Sequence, residues 1–562
     1  IELESTKKRA IETARTRLLI GGSLMAAAFL VVGARLFDIV VLNEHDTLRH
    51  AASRDIVRPV TMSRADITDR NGVLLATSLR TASLFANPRK IPDPAAAAAR
   101  ITGVLPDLSE EVIAARLASD KGFVWLRRNL TPKQQFEINR LGIPGLDFEH
   151  EERRVYPHGQ LAGHIVGFTN VDNAGLAGIE QSMDSAIAGA TTPLRLSLDI
   201  RVQQIVRQEL ADQIEKFKAI GGGAIVMDVR TGEVVSMVSL PDFDPNAPAQ
   251  APDETRFNRI TLGVYELGSV FKIFNHAIAL ETGAASMNKS YDATKPIRIS
   301  RFRISDYHPE NRWLTVPEIF KLSSNIGSAK MALDIGSKRQ QTYLGHLGLL
   351  RRTSIELPEQ ATPMIPRQWR EINTMTISYG HGIAVSPLHL ASAVAATVNG
   401  GVLRSATLIR AKAPETGGVQ VFSAETSDKM RRLLRLVVEN GTGRNAAAPG
   451  YLVGGKTGTA EKQVNGTYKR NALISSFVGV FPSTDPRFVV YVMIDEPKGI
   501  RESFGYATGG WTAAPVVGAV IQRMAPLFGI APLDESAPEV VRALTVNASA
   551  GPDVRTQPNA TN

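Results

Sequence analysis

Residues Leu18 to Ala34 read LLIGGSLMAAAFLVVGA, seventeen residues without a charge. At about 1.5 Å per residue the run reaches roughly 26 Å as a helix, just short of a bilayer core near 30 Å. Extended through Ile39–Leu42 it spans, with Arg35 snorkelling or pairing with Asp38 on the same helix face. Lys7, Lys8, Arg9, Arg15 and Arg17 precede it, an excess that predicts a cytoplasmic amino end. The run is long for the apolar core of a cleaved signal, and no small-x-small site follows it. The expectation is a cytoplasmic tail at 1–17 and one uncleaved anchor at 18–42, with everything after it outside the cytoplasm. No second run of this kind occurs in the sequence, which favours an anchored enzyme or adaptor over a channel.

The chain of 562 residues has room for two to four domains at roughly 100–200 residues each. The absence of cysteine excludes a disulfide framework, a thiolate metal site and a cysteine nucleophile. The charge of +9 arises from 64 basic and 55 acidic residues spread along the chain. That is a mixed surface, and no nucleic-acid partner is expected.

Residues 43–194 mix strand-like runs, turns and one helical stretch, and carry no residue types of a catalytic site; they read as a scaffold. Asp69-Arg70-Asn71-Gly72 before Val73-Leu74-Leu75 predicts a tight hairpin. Ala95–Leu117 is helical in composition, broken at Gly103 and Pro106. A second unit, 195–530, opens with Ser197-Leu198-Asp199 capping an amphipathic helix over Ile200–Phe217, ended by Gly221-Gly222-Gly223. Ala224–Val229 and Val234–Val238 predict a buried hairpin, and Phe477–Phe481 with Arg487–Ile494 predict two more strands. Strands at both ends with helices between them indicate an α+β domain around one antiparallel sheet. From 531 to 562 the composition predicts a disordered tail.

Three short motifs carry chemistry. Ser269 and Lys272 lie one helical turn apart, so their side chains share a face. A serine hydroxyl needs a base, and a neutral lysine serves if burial and a neighbouring cation lower its pKa by roughly 3 units. A helix amino terminus there also aims N–H groups at a developing oxyanion. The same spacing recurs at Ser5–Lys8, before the anchor, and at Ser286–Lys289, in a polar loop. Ser323-Ser324-Asn325 offers a proton-relaying hydroxyl at Ser323 and an orienting amide at Asn325, and equally fits an ordinary helix cap. In Lys456-Thr457-Gly458-Thr459, Gly458 lets a backbone approach a ligand, the threonines supply hydroxyls and N–H groups, and Lys456 attracts a carboxylate. Gly450–Thr457 also satisfies the phosphate-loop pattern of an NTPase, G-x-x-x-x-G-K-T. RNAAAPG before it is not a buried strand, however, and Gly458-Thr459 interrupts any helix after it.

Ser-x-x-Lys, Ser-x-Asn and Lys-Thr-Gly in this order resemble the signature of penicillin-binding proteins and serine β-lactamases. Tyr265-Glu266-Leu267-Gly268-Ser269, Tyr379-Gly380-His381-Gly382-Ile383, Gly509–Pro515, Asp66–Gly72 and Arg154-Val155-Tyr156-Pro157 extend the likeness from the anchor to about residue 525. The chain is similar to class B penicillin-binding proteins, monofunctional peptidoglycan D,D-transpeptidases, and most like the division-specific FtsI branch, with the elongation-specific branch as rival. It departs from the family at Leu267, where proline is usual, and at Ala65, where glycine is.

The resemblance implies an anchor, an elongated stalk or pedestal, and a transpeptidase domain with a central antiparallel sheet flanked by helices. It implies acylation of Ser269 by a stem peptide, with Lys272 as base, Ser323 and Lys456 as proton relay, and Asn325 orienting Lys272 and the substrate amide. Thr457, Gly458 and Thr459 would hold the terminal carboxylate, and the backbone N–H groups of Ser269 and Thr459 the oxyanion. Neither metal nor organic cofactor is needed. The implied partners are stem peptides of the lipid-linked precursor polymer, β-lactams, an FtsW-like membrane glycosyltransferase and other divisome proteins, at the bacterial inner membrane. A non-catalytic penicillin-binding sensor and a β-lactamase are the readings of other kinds.

Overall fold

The computed structural model describes residues 2–37, 64–299, 302–411, 417–464 and 467–546. They fall into two units, Ile1–Met62 and Ser63–Asn562.

Among its described residues the first unit is one helix, α1 (Glu2–Phe37). Arg15–Ala34 is, among the described residues, the one helical stretch long and apolar enough to cross a membrane, and Leu19–Ala34 are all exposed. The expected continuation through Leu42, and with it the Arg35–Asp38 pair, lies outside the described residues.

Among the described residues, the second unit contains two five-stranded sheets and three short two-stranded ones. In the first, β2 (Leu74–Ala86) pairs antiparallel with β1 (Ile67–Thr68), β3 (Val124–Leu130) and β4 (Leu146–Val155), while β1 pairs parallel with β5 (Leu194–Arg195). The Asp69–Gly72 turn forms as expected. Gly72 takes φ +89°, and Asp69 Oδ1 accepts from the amides of Asn71 and Val73 at 2.7 and 2.9 Å. Helices 94–104, 110–117 and 132–140 cover β2–β4 over a core of Leu84, Ile101, Ile113, Leu126 and Ile138. Gly103 does not break its helix, because a glycine near a helix end costs only about 1 kcal/mol. Pro106 does, by forcing Leu105 out of helical geometry. Below this sheet, Glu180 is fully buried and accepts from Arg64 Nε at 2.5 Å and Arg154 Nε at 2.7 Å.

The second sheet runs β8 (Gly454–Val464), β9 (Thr467–Phe481), β10 (Phe488–Asp495), β6 (Gly221–Asp228), β7 (Val234–Leu240), antiparallel throughout. Side chains alternate across it. Ala224 and Val226 join Val206, Leu210, Val517 and Ile521 on one face, under α2 (Ile200–Lys216) and, at the far end of the chain, the helix Gly509–Met524. Ile225 and Met227 join Phe274, Leu388 and Leu433 on the other. That face is covered by α3 (Lys272–Glu281), α4 (Val316–Leu322), α5 (Asn325–Ile335), α6 (Pro387–Val398) and α7 (Ala424–Asn440); Gly509–Met524 is α8. The expected α+β domain, one antiparallel sheet flanked by helices, is therefore present, with Asp199 capping α2.

Two expectations are corrected. Gly221–Gly223 do not end α2, which stops at Lys216; they begin β6. They are glycines because the sheet is crowded there. A Cβ at Gly222 would lie 2.8 Å from the Met493 carbonyl, and one at Gly223 2.7 Å from Ile260 Cδ1. Nor is the chain unstructured from 531. Leu533 donates to the Gly450 carbonyl at 2.8 Å, Glu535 accepts from Arg435 at 2.7 Å, and Pro538–Leu544 is helical. An ion pair and a few main-chain bonds hold what composition alone assigned to disorder. Residues 547–562 lie outside the described residues.

Candidate active site

The three motifs meet where the edge strand β8 passes the turn before α3. Gly268, at φ +62°, opens a 3₁₀ turn, Gly268–Phe271, which runs into α3 at Lys272. A Cβ at Gly268 would lie 2.6 Å from the Thr459 carbonyl oxygen, and one at Gly458 2.5 Å from the Leu267 carbonyl. Glycine on both sides thus lets turn and strand touch backbone to backbone. Ser323, at φ +60°, is the corner between α4 and α5. Ser324 is the ordinary cap, accepting from the Gly327 amide at 3.0 Å, which frees its neighbours on either side to face the cleft.

Lys272 Nζ donates to Ser269 Oγ at 2.7 Å, to Asn325 Oδ1 at 2.7 Å and to Ser323 Oγ at 3.3 Å. Lys456 Nζ reaches Ser323 Oγ at 2.9 Å. Both lysines are wholly buried, while Ser269, Ser323 and Asn325 are half-buried at the cleft. Burial, and after it the neighbouring Lys456, hold Lys272 well below the usual lysine range, against an opposing pull from Asp306. Burial lowers Lys456 to about 7. His276 Nδ1 lies 2.8 Å from the Lys272 carbonyl oxygen, which can only accept, so Nδ1 carries the proton. Burial holds this ring near 3 and hence neutral. A neutral amine 2.7 Å from a half-exposed hydroxyl is placed to take its proton.

Segments remote in sequence support this centre. Thr457 Oγ1 lies 2.9 Å from Thr442 Oγ1, and Thr459 Oγ1 accepts from the Gly509 amide at 3.1 Å. Tyr379 sets its ring 5.8 Å from Lys272 Nζ, and Gly380 abuts the Gly268 backbone. Of the other two Ser-x-x-Lys matches, Ser5–Lys8 lies in α1, and Lys289 pairs with Asp334 at 2.8 Å. Gly454–Thr457 belongs to a strand that continues to Val464, so no helix follows to hold a phosphate. The sequence reading missed Asp306, whose carboxylate binds the Ser323–Asn325 corner; no motif spacing marks it.

A family model for the penicillin-binding protein transpeptidase domain matches residues 222–522, and one for the penicillin-binding protein dimerisation domain matches 59–209. The chain belongs to the penicillin-binding protein transpeptidases. This penicillin-binding protein is 40% identical over 484 residues to the probable peptidoglycan D,D-transpeptidase FtsI of Caulobacter vibrioides, covering 83% of this chain and 82% of the relative. It is 31% identical over 553 residues to the peptidoglycan D,D-transpeptidase FtsI of Escherichia coli K12, covering 92% of each. Among solved structures, penicillin-binding protein 3 of Mycobacterium tuberculosis in complex with aztreonam shares the fold, with TM-score 0.68 and 24% identity over 84% of this chain and 98% of that one. In this penicillin-binding protein the departures from the family pattern are accommodated. Leu267 is buried, and Ala65 is buried with its amide donating to the Ile187 carbonyl at 2.9 Å.

Proposed function

We propose that the chain is a serine-type peptidoglycan D,D-transpeptidase that cross-links stem peptides at the division septum. The observation that carries the chemistry is the pair of buried lysines meeting the hydroxyls of Ser269 and Ser323. Ser269 Oγ attacks the carbonyl between the two terminal D-alanines while Lys272 takes its proton. The C–N bond breaks, and the leaving amine receives a proton through Ser323 and Lys456. A neighbouring stem-peptide amine then attacks the ester, displaces Ser269 Oγ, and returns it to the hydroxyl form. The Ser269 and Thr459 amides face the oxyanion, Asn325 orients Lys272 and the substrate amide, and Thr457, Gly458 and Thr459 hold the carboxylate beside Lys456. Strand β8 is a sheet edge, open to an extended peptide as an added strand. A β-lactam acylates Ser269 as a mimic of the donor.

The likeness to FtsI relatives supports the septal role, and α1 an anchor in the bacterial inner membrane with its basic end cytoplasmic and the catalytic domain outside. An FtsW-like glycosyltransferase and other divisome proteins are the proposed partners. The test of the chemistry is Ser269→Ala, which should lose labelling by a fluorescent penicillin while remaining folded; undiminished labelling removes Ser269 as nucleophile. The test of the role is depletion: filaments mean division, round cells mean elongation.

A further inference from the structure

The hairpin that pairs Ile297–Ile299 with Phe302–Ile304 leads directly into Ser305 and Asp306, beneath the α4–α5 corner. Asp306 accepts three hydrogen bonds from that corner: Ser324 Oγ at 2.8 Å, the Asn325 amide at 2.6 Å and the Ile326 amide at 2.9 Å. The Ser305 carbonyl accepts from Asn325 Nδ2 at 3.0 Å. A carbonyl can only accept, so this bond fixes which way the Asn325 amide points. Oδ1 is then the atom presented to Lys272, at 2.7 Å.

We propose that Asp306 is a positioning residue of the acyl-transfer centre: it holds the α4–α5 corner so that Asn325 Oδ1 and Ser323 Oγ meet Lys272. This rests on the transpeptidase reading. Ser324 already caps α5, so the role of Asp306 is not ordinary capping; it takes the first two amides of α5 and the cap's own hydroxyl. It also acts through charge. The titratable groups around Lys272 are Lys456, His276, His381, Tyr379 and Asp306. Burial keeps both histidines neutral near pH 7, and Asp306 is the group that favours the ammonium form of Lys272.

Asp306→Asn keeps an acceptor for the two amides and removes the charge, whereas Asp306→Ala removes both. The measurement is the acylation rate of the full detergent-solubilised chain by a fluorescent penicillin, from about pH 5 to 9. The plateau of Asp306→Ala should fall by about tenfold or more, while Asp306→Asn stays within about threefold of the parent. In both, the acid limb should move to lower pH, because Lys272 loses the carboxylate that holds its proton. An unchanged plateau in Asp306→Ala, or an acid limb that stays in place in Asp306→Asn, overturns the proposal. Should Asp306→Ala not fold, the Asp306→Asn limb decides alone. A parent chain that is not acylated at all would instead overturn the transpeptidase reading.

Discussion

Lys272 and Lys456 donate to one oxygen, the Ser323 hydroxyl, at 3.3 and 2.9 Å. Two ammonium groups buried this close repel, so the arrangement favours the neutral amine at Lys272, where the proposed acyl transfer needs a base. Lys272→Met keeps the length of the stem and removes the proposed base. Acylation by penicillin should fall by about 10²–10⁴-fold. The melting temperature should hold or rise, since a buried amine is replaced by an apolar chain. Stopped-flow labelling and thermal unfolding check both halves; an acylation rate near that of the parent would make another group the base.

The second lysine makes a prediction about pH and stability. Lys456 is lowered to about 7 by burial, against 10.5 for an ordinary lysine. Between these values the unfolded chain binds a proton that the folded chain does not, so stability should rise with pH across this window and be lowest, for this group, below about 7. Lys456→Met should flatten part of that slope and raise stability near pH 7.5, on the order of a few kcal/mol. Denaturant unfolding at several pH values reads the effect, and an equal slope in both proteins would refute the depressed pKa.

The motif serines and lysines were legible in the sequence because their chemistry fixes short spacings: Ser269 and Lys272 must share a helix face, and Asn325 must follow Ser323 across one cap. The strand pairs and the Asp69–Gly72 hairpin were legible for similarly local reasons. Asp306 was not, because only a tertiary hairpin brings it to the corner. The glycines at 221–223 misled because their cause is a neighbouring strand and Ile260, and pattern alone cannot separate a crowded strand start from a helix stop. The region after 531 misled because Glu535 finds Arg435 from across the fold.

Away from the site, Glu180 ties two arginines of the pedestal side, with side-chain exposures of 0%, 3% and 1% for Glu180, Arg64 and Arg154. Arg154 also donates to the Ala65 carbonyl at 2.8 Å, pinning the segment that leads into β1. Glu180→Ala removes the carboxylate that the two buried guanidinium groups share, leaving Arg64 only the Asp184 carboxylate at 2.7 Å, and should cost about 3–5 kcal/mol. Acylation by penicillin at a temperature where the variant remains folded should match the parent. Calorimetry checks the loss; a variant as stable as the parent would mean that Asp184 and water compensate the two guanidinium groups.

The close approach of the 268 turn to β8 can be tested against a matched control. Gly268 and Gly283 both have positive φ, +62° and +69°, so alanine strains the backbone at either, by about 1 kcal/mol. At Gly283 nothing lies within 4 Å of the new methyl, whereas at Gly268 it would meet the Thr459 carbonyl oxygen at 2.6 Å. Gly283→Ala should therefore lower stability slightly and leave acylation intact. Gly268→Ala must push the Thr459 peptide away from Ser269, so it should lose acylation by about tenfold or more, beyond any loss of stability. Penicillin labelling and thermal unfolding of the two variants side by side separate strain from displacement. Equal acylation in both would mean that the strand and the turn are free to part without consequence for the chemistry between them.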